Sequence, residues 1–193
     1  LLYLERYWHD QETVRTVITA LASDPITLHE DAARQALASG WDANPAAADQ
    51  NSAVERSLTQ RLSIVAGGPG TGKTTVLNRL IDAIRDVDGD HLIVGLAAPT
   101  GKAAARMTAS LSDPTLSAST LHRLLGWLPG RGSRFAHNAA NPLPHDLVIV
   151  DEVSMVSMMT MSRLVEALKP GARLVLVGDP DQLASVEAGA VLA

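Results

Sequence analysis

The stretch Gly67-Gly68-Pro69-Gly70-Thr71-Gly72-Lys73-Thr74-Thr75 restricts the possible folds of this chain more than any other. It carries the spacing G-x-x-x-x-G-K-[ST]. Before it stands an apolar run, Leu62-Ser63-Ile64-Val65-Ala66, and after it come apolar residues at 76, 77, 80, 81 and 84. The run reads as a buried strand, and the spacing after the loop is helical. Strand, glycine loop and helix are the setting in which such a loop binds phosphate. Glycines open dihedrals closed to other residues and let backbone N–H groups approach an oxyanion closely. The free N–H groups and positive dipole end of the following helix add to the anion site. There Lys73 is expected to reach the β- and γ-phosphates, and the Thr74 hydroxyl to ligate Mg²⁺.

The chain has 193 residues, enough for one domain of ordinary size plus an appendage. Hydrophobic residues make up 46% and aromatics only 3%, so the core must be aliphatic. A net charge of −5 argues against a broadly basic nucleic-acid coat, though a narrow basic groove is compatible with it. No cysteine is present, which excludes disulfides and thiolate metal sites and fits a reducing cytoplasm. No apolar run approaches the length of a membrane span, and the N-terminus has no signal-peptide pattern. The chain opens on Leu1-Leu2-Tyr3 without an initiator Met, as a fragment would.

Taken in order, the pattern predicts a helix from Leu1 to about Ala22, with Leu1, Leu4, Tyr7 and Trp8 on one face and Val14, Val17, Ile18 and Leu21 continuing one. A second short helix is expected from Leu28 to Ala38, a loop over Trp41–Pro45 and another helix from Ala46 to Leu58. Residues 1–45 thus read as a small helical segment ahead of a domain spanning 46–193. After the phosphate-loop helix the pattern predicts strands at His91–Ala98, Leu147–Val150 and Arg173–Val177, with helices over Ala103–Leu111, from Thr120 to Leu125, and over Ser154–Leu168. Gly126 to Pro144 is the least regular stretch. Strands alternating with helices give an α/β fold with a parallel sheet. In such sheets ligands sit beyond the carboxyl ends of the strands. Lys73, Thr100, Asp151 and Asp179 are all expected there.

Asp151-Glu152 follows a four-residue apolar strand. Paired acids at that position are costly without a cation. Beside a phosphate loop, Asp151 is expected to hold the nucleotide's metal and Glu152 to position and activate water. Gln182, in Gly178-Asp179-Pro180-Asp181-Gln182-Leu183, could sense a γ-phosphate or lie in a polar turn. Pro99-Thr100-Gly101-Lys102 could bind a second phosphate-bearing ligand at a helix N-terminus, with Thr100 as donor and Lys102 adding charge, or Thr100 could simply cap the helix. Thr120 and His122 read as functional or structural residues alike. Met155, Met158, Met159 and Met161 are expected in the core. Trp127 and Phe135, near Arg131 and Arg134, could stack bases or anchor a loop.

Gly67–Thr75, Ala98–Met107, Thr120–His122, Asp151–Met155 and Gly178–Gly189 resemble motifs I, Ia, Ib, II and III of superfamily 1 helicases in order and approximate spacing. Asp-Glu-Val-Ser-Met at 151–155 and the run from Gly178 to Gly189 resemble the RecD type, the exonuclease V alpha subunit. So does the opening Leu2-Tyr3-Leu4-Glu5-Arg6-Tyr7-Trp8. The resemblance implies a RecA-like P-loop NTPase fold and an ATP- and Mg²⁺-dependent 5′-to-3′ DNA helicase. It implies single-stranded DNA and RecB- and RecC-like subunits as partners, recombinational repair of double-strand breaks, and a bacterial cytoplasmic location.

Residue by residue, the resemblance implies that Gln50 reads adenine and that Gly67, Gly68, Pro69, Gly70, Thr71, Gly72, Lys73, Thr74 and Thr75 cradle the phosphates. Thr74 and Asp151 would hold the metal, Glu152 would be the base and Gln182 the γ-phosphate sensor. Pro99, Thr100, Gly101, Thr120 and His122 fall in motifs that contact DNA, and Lys102 lies among them. The stretch 126–141 sits where the family inserts a small hairpin. The motifs end with the third, so the family's second RecA-like domain and its arginine finger are expected to be absent. Weak nucleotide binding with little turnover is then expected of the chain alone. The helicase part of a conjugative relaxase, a non-motor ATP-binding assembly subunit and a P-loop kinase are the competing readings. The kinase lacks a recognisable acceptor site and lid.

Overall fold

In a computed structural model of the chain, residues 5–28, 47–68, 70–89, 91–128 and 134–179 are described. Five apolar runs pair in parallel: β1 (Leu62–Ala66), β2 (Val94–Ala98), β3 (Ala118–Thr120), β4 (Leu147–Val150) and β5 (Arg173–Gly178). Their spatial order is β1-β5-β4-β2-β3. The helices are α1 (Glu5–Ala22), α2 (Ala48–Leu58), α3 (Lys73–Asp88), α4 (Gly101–Ala109), α5 (Leu121–Leu124) and α6 (Met158–Glu166). The fold is the expected α/β arrangement, a parallel sheet with flanking helices of the RecA-like P-loop type.

Alternation along the strands divides the core into two layers. Val148 and Val150 of β4, with Leu174 and Leu176 of β5, face one side. There they meet Met161, Leu164 and Val165 of α6, and α1 packs on through Val14, Val17, Ile18 and Leu21. Leu147, Ile149, Val175 and Val177 face the other side, against Val76, Leu77, Leu80, Ile81 and Ile84 of α3 and Val54 and Leu58 of α2. Both central strands are buried throughout, as a parallel sheet covered on two faces requires. Each fully buried Val, Leu or Ile contributes about 1.5–3 kcal/mol. The helices that cover the sheet are therefore the main source of its stability. α1 is tied down further by Asp10, which is buried and lies 3.4 Å from the Arg163 guanidinium of α6.

Several local expectations change. Trp8, placed by period on an apolar face of α1, is 58% exposed. The second strand begins at Val94 rather than His91, because Gly89 (φ 91) turns the chain and the Ile93 N–H is taken by the Asp146 carboxylate at 2.9 Å. The Ser154–Leu168 helix is two pieces. A 3₁₀ turn (Val153–Met155) ends at Val156, which is extended, and Ser157 then caps α6 by accepting from the Thr160 N–H at 3.3 Å. Of the four methionines, Met161 is fully buried while Met155 is 44% exposed. β3 was not foreseen at all; it pairs Ala118 with Leu96 and Thr120 with Ala98. The expected helix over Leu28–Ala38 and loop over Trp41–Pro45 lie outside the described residues, apart from Leu28. In the irregular stretch, Trp127 and Phe135 form an antiparallel bridge, with Trp127 half exposed and Phe135 buried.

Beneath the sheet, at the amino end of β5, Arg173 is buried. Its guanidinium donates to the Leu58 carbonyl at the end of α2 (2.6 Å) and to the Asp88 carboxylate at the end of α3 (3.2 Å). Burial pushes its pKa below the ordinary arginine value, and Asp88 opposes that shift. Removing the side chain strands the Leu58 carbonyl, whereas Asp88 retains access to water. Arg173→Ala is expected to lower unfolding free energy by about 1–3 kcal/mol. Urea unfolding checks this, and an unchanged midpoint would refute it.

Candidate nucleotide site

The carboxyl ends of β1, β5 and β4 open onto one cleft of about 450 Å³. Register brings them together. Ala66 pairs with Gly178, and the Gly67 N–H extends the pairing to the Gly178 carbonyl at 3.1 Å. β4 ends one residue before Asp151, whose N–H donates to Ala97 of β2 at 2.9 Å. Gly68, Gly70, Thr71, Gly72, Lys73 and Thr74 line the cleft together with Arg106, Asp151, Glu152, Gly178 and Asp179.

The glycine loop is shaped by side chains as well as by glycine dihedrals. Gly72 is the N-cap of α3 at φ 83, ψ 19, a left-handed conformation that favours glycine. A Cβ there would collide with the Gln50 amide. Gln50 donates to the Thr71 carbonyl at 3.2 Å, so the first turn of α2 lies against the loop. The Thr71 hydroxyl donates to the Gly68 carbonyl at 2.9 Å. Lys73 folds back on the loop, its ammonium donating to the carbonyls of Gly67 and, at 2.8 Å, Gly68. This stores the cation at the loop until an anion competes for it.

The cleft also holds acids. Burial pushes the Asp151 carboxyl above its ordinary range, while the Arg106 and Lys73 cations pull it down. Its Oδ1 accepts the Glu152 N–H at 2.8 Å. Glu152 has φ 53 and forms an ion pair with Arg106 of α4, which also lines the cleft. A half-buried carboxylate whose charge is opposed by desolvation is suited to a cation, and Thr74 lines the same cleft. The donor set, one carboxylate and one hydroxyl beside a loop of backbone N–H groups, suits a hard cation that keeps other ligands from phosphate and water. The residues present therefore fit a nucleotide carried with Mg²⁺.

The structure gathers Gly68, Gly70, Thr71, Gly72, Lys73, Thr74, Asp151 and Glu152 around this cleft, with Gly67 leading from β1 into the loop, Gln50 against the loop and Thr75 exposed in the first turn of α3. Pro69 and Gln182 lie outside the described residues. Thr100, Gly101, Lys102, Thr120 and His122 form a second group, at the carboxyl ends of the adjacent strands β2 and β3. Both threonines cap helices: Thr100 accepts from Ala103 and Thr120 from Arg123, each at 3.2 Å. Pro99 is partly exposed, Lys102 is exposed, and His122 is exposed with its ring 5.7 Å from that of Phe135. Arg106 was not singled out by sequence reasoning. Its signal was present, since it stands four residues after Lys102 on α4, the spacing that puts both cations on one helix face.

Residues 50–188 match the family model described as AAA domain. The chain is 46% identical to the RecBCD enzyme subunit RecD of Mycolicibacterium smegmatis, an alignment covering 100% of this chain and 37% of that protein. It is 37% identical to the RecD subunit of Haemophilus influenzae, covering 99% and 33%. It is 47% identical to the ATP-dependent RecD2 DNA helicase of Deinococcus radiodurans, covering 73% and 18%. The resemblance to RecD therefore holds along the whole chain, which spans about a third of the length of the RecD relatives it matches.

The burial of Asp151 has a measurable consequence. A carboxyl with a raised folded-state pKa binds protons more tightly in the native chain than in the unfolded one. Stability therefore falls as pH rises from the ordinary value of 3.8 through the folded value, and the full cost remains above it. Asp151→Asn removes that cost and still accepts the Glu152 N–H. It is expected to melt higher than the wild type at neutral pH without nucleotide, the gap closing as pH drops below the ordinary carboxylate range. Thermal melts across pH check this, and a lower melting point for the variant at pH 7 would refute it.

Proposed function

Because this chain belongs to the AAA domain family, we propose that it is the ATP-binding first motor domain of a RecD-type DNA helicase, with a small helical segment over 1–45 and the motor domain over 46–193. The observation that carries the reading is the convergence of the glycine loop and the Asp151-Glu152 pair on one cleft, beside a separate polar group at the ends of β2 and β3. The first fits a nucleotide triphosphate. The second fits the phosphates of single-stranded DNA, with the His122–Phe135 pair and the half-exposed Trp127 beside it. The name of the RecD relatives, a subunit of the RecBCD enzyme, supports RecB- and RecC-like partners; recombinational repair of double-strand breaks in the bacterial cytoplasm is the role that accompanies this reading.

Each role follows from a position. The Lys73 ammonium leaves the carbonyls of Gly67 and Gly68 for the β- and γ-phosphates, exchanging neutral acceptors for charged ones. Loop N–H groups and the N-terminus of α3 hold the same anion. Thr74 and Asp151 hold Mg²⁺, which neutralises phosphate charge when bound. Glu152, beyond the strand end, accepts the proton of the attacking water at its carboxylate. Gln50, already against Thr71, reads the base; the γ-phosphate sensor is assigned to Gln182, which lies outside the described residues. Pro99, Thr100, Gly101, Lys102, Thr120 and His122 hold DNA. The family's small hairpin insertion is assigned to the stretch 126–141, of which residues 129–133 lie outside the described residues.

The test uses the full-length parent protein, assayed for ATP hydrolysis with and without single-stranded DNA. Strong stimulation by DNA is expected. Lys73→Ala and Glu152→Gln are each expected to reduce the stimulated rate by about 100-fold or more. A parent that hydrolyses ATP indifferently to DNA, or that unwinds DNA normally as Lys73→Ala, would point instead to an assembly subunit.

A further inference from the structure

The helix that carries the second polar group also reaches into the first. α4 starts at Thr100 and Lys102 and, on its second turn, sends Arg106 to Glu152. Glu152 is the only non-glycine residue with positive φ among the described residues. It sits in a tight turn between β4 and the 3₁₀ segment, where its backbone is anchored by the Asp151 carboxylate at 2.8 Å. Nothing in that turn dictates where its side chain points. The Glu152 carboxylate is 20% exposed and accepts from the Arg106 guanidinium, whose side chain is 69% exposed.

An ion pair this open adds little to stability. Its value lies in direction, because the charge-assisted bond from the Arg106 Nη2 to the Glu152 Oε1 holds that carboxylate oxygen in place. We infer that Arg106 is a positioning residue that holds the Glu152 carboxylate over the nucleotide cleft and links its placement to whatever binds at the first turn of α4. The inference rests on the reading of Glu152 as the base. α4 is nine residues long and capped at its start by the Thr100 hydroxyl, so a ligand gripping Thr100 and Lys102 moves Arg106 with them. Glu152 follows through the pair. Hydrolysis then answers to DNA without any residue touching both ligands. By reciprocity, the nucleotide must alter DNA affinity through the same link.

The test uses the full-length parent and its Arg106→Ala, Arg106→Lys and Glu152→Gln variants. Measured are kcat and KM for ATP with saturating single-stranded DNA, melting temperature, and affinity for a fluorescent oligonucleotide with and without a non-hydrolysable ATP analogue. Arg106→Ala is expected to lose about 10- to 100-fold in kcat, the scale of a misplaced catalytic group. KM should stay within about twofold and the melting point should hold. The analogue-induced change in oligonucleotide affinity should shrink towards none. Arg106→Lys keeps the charge and should restore part of both effects. A wild-type kcat with intact coupling overturns the inference. So does a loss expressed wholly in KM, or one that tracks a fallen melting point and is not restored by lysine. Glu152→Gln separates the two failures. If it hydrolyses ATP normally, the site reading is wrong; if it is inactive while Arg106→Ala is normal, only the link is.

Discussion

Everything at the cleft depends on the parallel pairing of β5 with β1 on one side and β4 on the other. Parallel strands run with their carboxyl ends together, so residues that follow Ala66, Val150 and Gly178 emerge at one edge of the sheet although the chain separates them widely. The register then sets which residues face one another. Gly67 continues the ladder by one bond to Gly178 before the loop turns away, and Asp151 continues β4 by one bond to Ala97. A slip of one residue on β5 would exchange the two core faces, sending Leu174 and Leu176 to the α3 side. The cleft is therefore fixed by the same alternation that fixes the core.

Around that edge the chain holds opposite charges in unlike ways. The ammonium of Lys73 is satisfied internally, by carbonyls of the loop it serves. The carboxyl of Asp151 is not so well provided for, and its burial opposes ionisation. The pair is thus poised for a ligand that brings both an anion and a cation, since one displaces carbonyls from lysine and the other relieves the buried acid. Neither charge is paired with the other in a hydrogen bond, which keeps the site from collapsing on itself.

Much of this was legible in the order of residues. β4 is an uninterrupted aliphatic run, β1 and β5 are aliphatic but for Ser63, Arg173 and Gly178, and the glycine loop between a strand and a helical period admits few settings. β3 was not legible, because its three residues, Ala118-Ser119-Thr120, carry no apolar signal and are defined by pairing to β2 and by the Thr108 hydroxyl accepting from Ala118. The break in α6 was hidden for a similar reason. Val156 and Ser157 suit a helix by period, but the Ser157 side chain competes for the Thr160 N–H and starts a new one. Arg106 illustrates the same limit. Its helix could be read, whereas its partner Glu152 lies 46 residues away and is brought near only by the pairing of β2 with β4.

The insertion of β5 between β1 and β4 also bears on how the protein is made. As the chain leaves the ribosome, β1 emerges early and has no strand to pair with until residues 173–178 follow. β2 and β4 can pair before then, but the glycine loop and the acidic pair remain on separate pieces. The apolar faces of β1 and of the α2–α3 pair wait until β5 has been made, with the sheet unfilled beside them. A nascent chain arrested in that interval exposes unpaired strand edge and aliphatic surface, the kind of state that chaperones bind. The interleaved topology that builds the nucleotide cleft thus withholds it until β5 has been made and slots between β1 and β4.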